Sequence, residues 1–488
     1  MKLETNLPVA VIGAGPVGLA AAAHLVSRGM TPIVFEQGSL VGASLLEWGH
    51  VHVFSPWEYN VDAAARSLLE AAGWDAPEPT ELPTGRQIVE QYLEPLASLP
   101  GMASSIRLSA RVTAITRLGL DKVSSKDRET APFEVRWTDA EGNEQATVVR
   151  AVIDASGTWK RPNPMGVDGL PVLGERAAAE FIDYGIPDVL GARRETFANK
   201  TVLVVGSGHS AINIALALLK LQDQEPGTRV LWALRRNRIE RLLGGGLNDQ
   251  LPERGALGLA AKKAIETGRL QVLAPFAATR LVTTEGRVAV VGSLNQTQMT
   301  LMVDRIVVAT GFRPDLDILS ELRVSVDPAT EAPPALSPLI DPNVHSCGTV
   351  PPHGVVELAQ PETNLFIIGS KSYGRAPTFL MATGFEQARS VVAELAGDHV
   401  AARDVQLVLP ETGVCGVSFD EGDGAGSACC GTPVSAAVAS SCCGGPAVST
   451  SSCCVADEVA KAEGHAGCGC GTAVAIPAIV TSSAGEPA

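Results

Sequence analysis

Two stretches of the chain share one succession of apolar runs and glycine turns. From Pro8 onward the apolar run VAVIG gives way to AGPVG, then to an alanine-rich segment through Ser27, then to TPIVFE. That order predicts a strand, a glycine-rich turn, a helix and a second strand. The pattern returns at Thr201 as VLVVG, SGHSA, a Leu- and Ala-rich helical stretch and RVLWALRR, about 190 residues further on. Starts so far apart imply two separate nucleotide sites and not a short tandem repeat.

Strand-like runs fill the intervals: RVTAITRL, FEVRWTD and TVVRAVIDASG between the two copies, VAVVGS and VDRIVVATG after the second. The expected fold is α/β, two Rossmann-like dinucleotide-binding domains with the second inserted into the first. The boundaries expected are 1–164 and 306–405 for the outer domain and 165–305 for the insert. Apolar residues at helical spacing predict a last helix over Thr378–Leu395, ending before Gly397. From about Thr412 the composition turns to Ala, Gly, Ser, Cys and Val, which cannot bury enough surface to offset ordering entropy. Residues 406–488 are therefore expected to be a flexible tail.

Composition narrows the partners. No run of 18 apolar residues occurs, although 45% of the chain is hydrophobic, so no membrane span is expected. The N-terminus passes from a few polar residues straight into a strand, and a cytoplasmic protein is expected. A net charge of −15 disfavours nucleic acid and anionic membranes. Nine of the ten cysteines lie at or beyond Cys415, and only Cys347 precedes them. Such clustering in a cytosolic chain favours metal, metalloid or redox chemistry over a disulfide framework.

In the first copy Gly13, Gly15 and Gly18 form GxGxxG, with Pro16 opening the helix and Glu36 at the end of the next strand. The glycines permit the turn, the approach of a pyrophosphate and close helix packing, and Glu36 is placed to accept from a ribose hydroxyl. The second copy carries Gly206, Gly208, His209, Ser210 and Ala211 as GSGHSA. At the end of its second strand stand Arg235 and Arg236, where an acidic residue would grip the 2′-hydroxyl of NAD. Guanidinium groups there suit a 2′-phosphate and favour NADPH, the alternative being two solvated arginines.

The chain resembles the two-dinucleotide-domain flavoproteins over roughly residues 8–400. The resemblance rests on GAGPVG, DASGTW (154–159), GSGHSA, VVATGFRPD (307–315) and NLFIIGSKSYGRAP (364–377), which occur in that order. It implies FAD on the outer domain and NAD(P)H on the insert. Ser156 and Gly157 would then join the FAD site, Thr310 and Gly311 the hinge on the nicotinamide side, Gly369 the cover of the ribityl chain, and Val112 the adenine. Within that superfamily EWGHVHVFSPWEYNVD (47–62), ELPTGRQIVEQYL (81–93) and SKSYGRAPTFLM (370–381) look most like flavin monooxygenase-like proteins of arsenic-resistance operons. That likeness implies Trp48, His52, Ser55, Trp57 and Asn60 around the flavin ring. There indoles and an amide would exclude water, the alternative for the tryptophans being packing between modules. A homodimer is a habit of the superfamily.

Two departures bear on the chemistry. The segment EFIDYGIPDVLG (180–191) lacks the histidine of FxGxxxH, a motif of flavin-containing and Baeyer-Villiger monooxygenases. Residues 1–346 hold no cysteine, so the flavin-proximal pairs of thioredoxin and glutathione reductases have no counterpart. Cys347, in NVHSCGTVPPHG, is either a small packed residue or a thiolate facing substrate. The vicinal pairs Cys429 and Cys430, Cys442 and Cys443, and Cys453 and Cys454, with Cys468 and Cys470, suit a thiophilic ion such as Cu(I), Zn(II) or trivalent arsenic.

The expected activity is that of an NADPH-dependent FAD monooxygenase, with O₂ and a soft small molecule, a trivalent arsenical or a sulfur compound, as substrates. The tail would concentrate the metalloid or metal. A reductase passing electrons through tail thiols to a metal ion or a partner disulfide is the second reading, and a metalloid-binding redox sensor the third.

Overall fold

A computed structural model describes residues 7–236, 252–344, 350–377 and 379–407. The first βαβ unit forms as the pattern dictates. Strand β1 (Val9–Ile12) and strand β2 (Pro32–Phe35) run parallel in register Val9↔Pro32 and are joined by the helix Pro16–Ser27. Alanines 20–23 are fully buried in this helix, which packs against the helix Met381–Leu395, and Phe385, Ala388 and Val391 of the latter lie in the same buried cluster. The sheet is completed by β3 (Ile106–Arg107), an antiparallel excursion of β4 (Arg111–Arg117), β5 (Phe133–Thr138) and β6 (Glu144–Val149), and then β7 (Ala151–Asp154).

The second unit repeats the design. After β8 (Ile182–Tyr184) come β9 (Thr201–Val205), the helix His209–Gln224, β10 (Arg229–Ala233), the helix Pro252–Glu266 and β11 (Gln271–Leu273). An antiparallel trio, β12 (Phe276–Thr284), β13 (Arg287–Leu294) and β14 (Thr297–Val303), leads into β15 (Arg305–Val308). Strand order here is β11-β10-β9-β15-β8, all parallel, so the segment building this sheet runs through 308, across the expected 305/306 boundary. The chain then returns through β16 (Leu365–Ile367) to give the first sheet its order, β16-β7-β1-β2-β3.

The strands that carry both faces of these sheets read as continuous apolar runs because helices and antiparallel layers cover them. Accordingly β1 and β7 are buried at every residue. The helix expected over Thr378–Leu395 starts at Met381, because Leu380 is extended at φ −106°, ψ 143° and Phe379 and Leu380 form cavity wall instead. Nor is it the last, since a short helix His399–Arg403, capped by the Asp398 side chain, follows it after Gly397. Thr378 itself lies outside the described residues. Among the described residues no helix is long and apolar enough to cross a membrane. The tail cysteines, and all of 408–488, lie outside the described residues.

Candidate active site

Both glycine turns open onto one cavity of about 1190 Å³. At the first, Gly13 has φ +98°, and a Cβ there would stand 2.8 Å from the Ala155 carbonyl oxygen. A Cβ on Gly18 would stand 2.0 Å from the Gly13 carbonyl oxygen, so the helix can close on the turn only with glycine. Gly15, which caps the helix Pro16–Ser27, has nothing within 4 Å of a Cβ position. The second turn is built alike: a Cβ on Gly206 would meet the Ala309 carbonyl oxygen at 2.3 Å, whereas the cap residue Gly208 faces open space. Two helix N-termini thus present unencumbered backbone to the cavity, and such termini seat phosphates. The residues present therefore fit two dinucleotides.

Glu36 is nearly buried and accepts from the Ala14 amide at 2.8 Å and the Gly38 amide at 2.7 Å. These bonds fix the carboxylate at the cavity wall beside the turn. Val112 lies on the same wall. Ser156, Gly157 and Gly369 come from the C-terminal ends of β7 and β16, and with them comes a buried ion pair the sequence reading did not single out. Lys371 Nζ lies 2.6 Å from Asp154 Oδ2 and 3.0 Å from Ser156 Oγ. A buried relay lies behind it: Gly369 donates its amide to Gln387 Oε1, and Gln387 Nε2 donates to Ser372 Oγ and His353 Nε2. The accepting Nε2 and an Nδ1 that donates to the Pro351 carbonyl make His353 a neutral imidazole, and burial holds its pKa below the ordinary histidine value.

On the second side His209 and Ser210 open the helix, and the His209 ring meets Phe54 edge-on at 5.4 Å. Arg235 lines the cavity at the end of β10, its pKa lowered by burial and then by Arg236. Arg236 is not on the cavity wall. Thr310 and Gly311 follow β15 at the seam between the modules, where Thr310 Oγ1 donates to the Asn163 carbonyl.

The same cavity has an aromatic wall. Trp48 packs against Trp159 at 6.4 Å, and Trp159 against Phe312 at 4.6 Å. Trp159 Nε1 donates to Glu47 Oε2 at 2.8 Å, and Lys160 pairs with the other oxygen. His52 also faces the cavity; its Nδ1 donates to the Leu82 carbonyl at 3.0 Å, which leaves Nε2 as the acceptor.

Some expected site residues are elsewhere. Asn60 is fully buried, off the cavity wall, and its amide nitrogen donates to the carbonyls of Ser55 and Pro56 while Ser55 Oγ donates to its Oδ1. It shapes the turn behind Ser55, which does line the cavity. Trp57 packs in the first module's core, because the same turn points its ring inward. Gly18 and Ala211 pack their helices and do not line the cavity. Cys347 lies outside the described residues, and among the described residues no group of His, Cys, Asp and Glu is gathered for a metal. Asp154 ends β7 and Lys371 sits in the 3-10 turn Gly369–Tyr373 after β16; a carboxylate closing an otherwise apolar strand was the one signal of the pair in the sequence.

A pair of parallel α/β modules whose glycine turns share one cavity defines an oxidoreductase that brings two dinucleotides together. The family of pyridine nucleotide-disulphide oxidoreductases matches residues 10–339, and the chain belongs to it. Among curated relatives, indole-3-pyruvate monooxygenase YUCCA6 of Arabidopsis thaliana is 28% identical over 44% of this chain and 45% of its own length. The ferredoxin–NADP reductase of Thermus thermophilus is 26% identical over 70% of this chain and 84% of that protein. The chain thus spans less than half the length of YUCCA6. Among solved structures, the bacillithiol disulfide reductase of Bacillus cereus shares the fold at a TM-score of 0.58 and 19% identity, over 80% of this chain and 99% of that one.

Proposed function

We propose that the chain is an NADPH-dependent FAD monooxygenase acting on a soft nucleophile, a sulfur compound or a trivalent arsenical. The observation that carries this is the aromatic wall of Trp48, Trp159 and Phe312 on the cavity that both glycine turns line, in a chain without cysteine before Cys347. Relatives that oxygenate support it. In this reading FAD lies on the first module, against Gly13, Gly15, Pro16, Glu36, Ser55, Val112, Ser156, Gly157 and Gly369. NADPH lies on the second, against Gly206, Gly208, His209, Ser210, Arg235, Thr310 and Gly311. When bound, the flavin supplies hydride acceptance and oxygen activation. The protein's own share is positional. The helix N-termini seat the phosphates, the tryptophans exclude water, and His52 Nε2 offers a proton acceptor at the wall. The arsenical rests on the resemblance of 47–62 and 370–381, and capture of metalloid by the tail cysteines extends it.

The test is NADPH-driven O₂ uptake by FAD-loaded full-length protein, with and without trivalent arsenicals and small thiols, beside a truncation before Cys415. Substrate-stimulated uptake matched by oxygenated product supports the proposal. Oxygen-independent NADPH oxidation that needs the tail thiols and an acceptor replaces it with the reductase reading, which the ferredoxin–NADP reductase relative favours.

A further inference from the structure

The cavity is basic in an acidic protein: seven Lys or Arg side chains line it against two Asp or Glu, in a chain of net charge −15. Four of these cations have carboxylate partners of their own. Lys160 pairs with Glu47, Arg161 with Asp315, Lys371 with Asp154 and Arg375 with Glu331. Arg235 stands where a 2′-phosphate is expected, and Arg111 opens β4 beside Val112, at the adenine end of the first module. Arg313 remains.

Arg313 is at neither glycine turn. It follows Gly311 and Phe312 at the seam between the modules, where its backbone amide donates to the Arg161 carbonyl at 3.0 Å. Its side chain is held by neutral acceptors alone: Nε donates to Asn163 Oδ1 at 2.7 Å and Nη2 to the Gly169 carbonyl at 3.2 Å. Asn163 is itself anchored by donating to the Thr310 carbonyl at 3.1 Å, so the guanidinium is aimed by a fixed partner. Among the described residues no carboxylate lies within ion-pair distance of it. Burial pulls its pKa below the ordinary arginine value, and Arg375 and Arg161 act in the same direction while Glu331 opposes them. A half-buried cation repelled by its neighbours is unfavourable until an anion joins it. Arginine meets carboxylates and oxyanions with paired donors, and among the described residues Arg313 Nη1 has no hydrogen-bond partner.

We infer that Arg313 is an anion subsite at the seam of the two modules that takes the carboxylate or oxyanion group of the substrate, the Glu331-paired Arg375 adding only its more distant charge. This rests on the monooxygenase reading and narrows it to soft nucleophiles that carry an anionic group. The same chemistry could come from a phosphate of the pyridine nucleotide, and the experiment separates the two.

Inorganic phosphate and acetate are titrated calorimetrically into the FAD-loaded full chain, with and without saturating NADP⁺, for the unaltered protein, Arg313→Gln, Arg313→Lys and Arg375→Gln. Flavin absorbance and its bleaching by NADPH are recorded on the same samples. Expected is an anion site that persists with NADP⁺ bound and weakens by about tenfold or more in Arg313→Gln. Arg313→Lys, which keeps the charge, recovers part of it, and Arg375→Gln weakens it less. Loss of the site on adding NADP⁺ assigns it to the nucleotide phosphate and overturns the substrate assignment. Anion binding equal in Arg313→Gln and the unaltered protein overturns the role of Arg313. A chain that binds phosphate but neither holds flavin nor lets NADPH reduce it overturns the monooxygenase reading and not the anion subsite.

Discussion

Lys371 Nζ lies 2.6 Å from Asp154 Oδ2 with both side chains out of contact with solvent, at the point where β16 and β7 end on the cavity. Removing one partner strands the other charge. Asp154→Asn is expected to cost about 3–5 kcal/mol of stability, and Lys371→Met a comparable amount, while the double replacement costs less than the sum of the two. Denaturant unfolding of the four proteins in a double-mutant cycle checks this. Equal additive losses would mean the pair is not coupled.

The two kinds of glycine in the first turn should separate on substitution. Gly18→Ala drives a methyl into the Gly13 carbonyl and is expected to destabilise the fold. Gly15→Ala meets no protein atom, so the thermal midpoint should hold while FAD affinity falls by roughly tenfold or more, as a methyl enters the phosphate seat. Thermal scans and flavin titration read the two effects apart.

Arg235 and Arg236 are adjacent in sequence and different in place. Arg235→Gln should raise the KM for NADPH by roughly tenfold or more, the worth of a charge-assisted hydrogen bond, and leave that for NADH nearly unchanged. Arg236→Gln should do little, since that residue is off the cavity wall. Steady-state kinetics with both nucleotides decide it.

His353 should make stability depend on pH. Burial lowers its folded pKa, so below the ordinary value of about 6.5 the unfolded chain binds a proton that the folded chain resists. Its contribution is complete above that pH and declines as pH falls through and below it. Unfolding free energies measured from about pH 8 to pH 5 should drop more steeply for the unaltered protein than for His353→Gln. Identical slopes would remove His353 from the account.

The sequence by itself determined the two βαβ units. Apolar runs ending in GAGPVG and GSGHSA leave few other structures, because a strand that turns into a helix within so few residues needs glycine at those positions, and the turns formed where the spacing put them. Burial of β1 on both faces was likewise legible as unbroken hydrophobicity, whereas β7 is apolar only up to Asp154. What the tertiary structure alone decided is which side chains face the cavity. Ser55 and Asn60 lie five positions apart in one short turn, yet one lines the cavity and the other is sealed behind it. Trp159 and Asn163 on one side and Phe312 and Arg313 on the other lie about 150 residues apart in the chain and became neighbours only when β15 returned beside β9. Local pattern encodes which backbone forms, since hydrogen bonding and burial repeat over a few residues. A site assembled from strand ends of two modules depends on contacts between segments that no local period records.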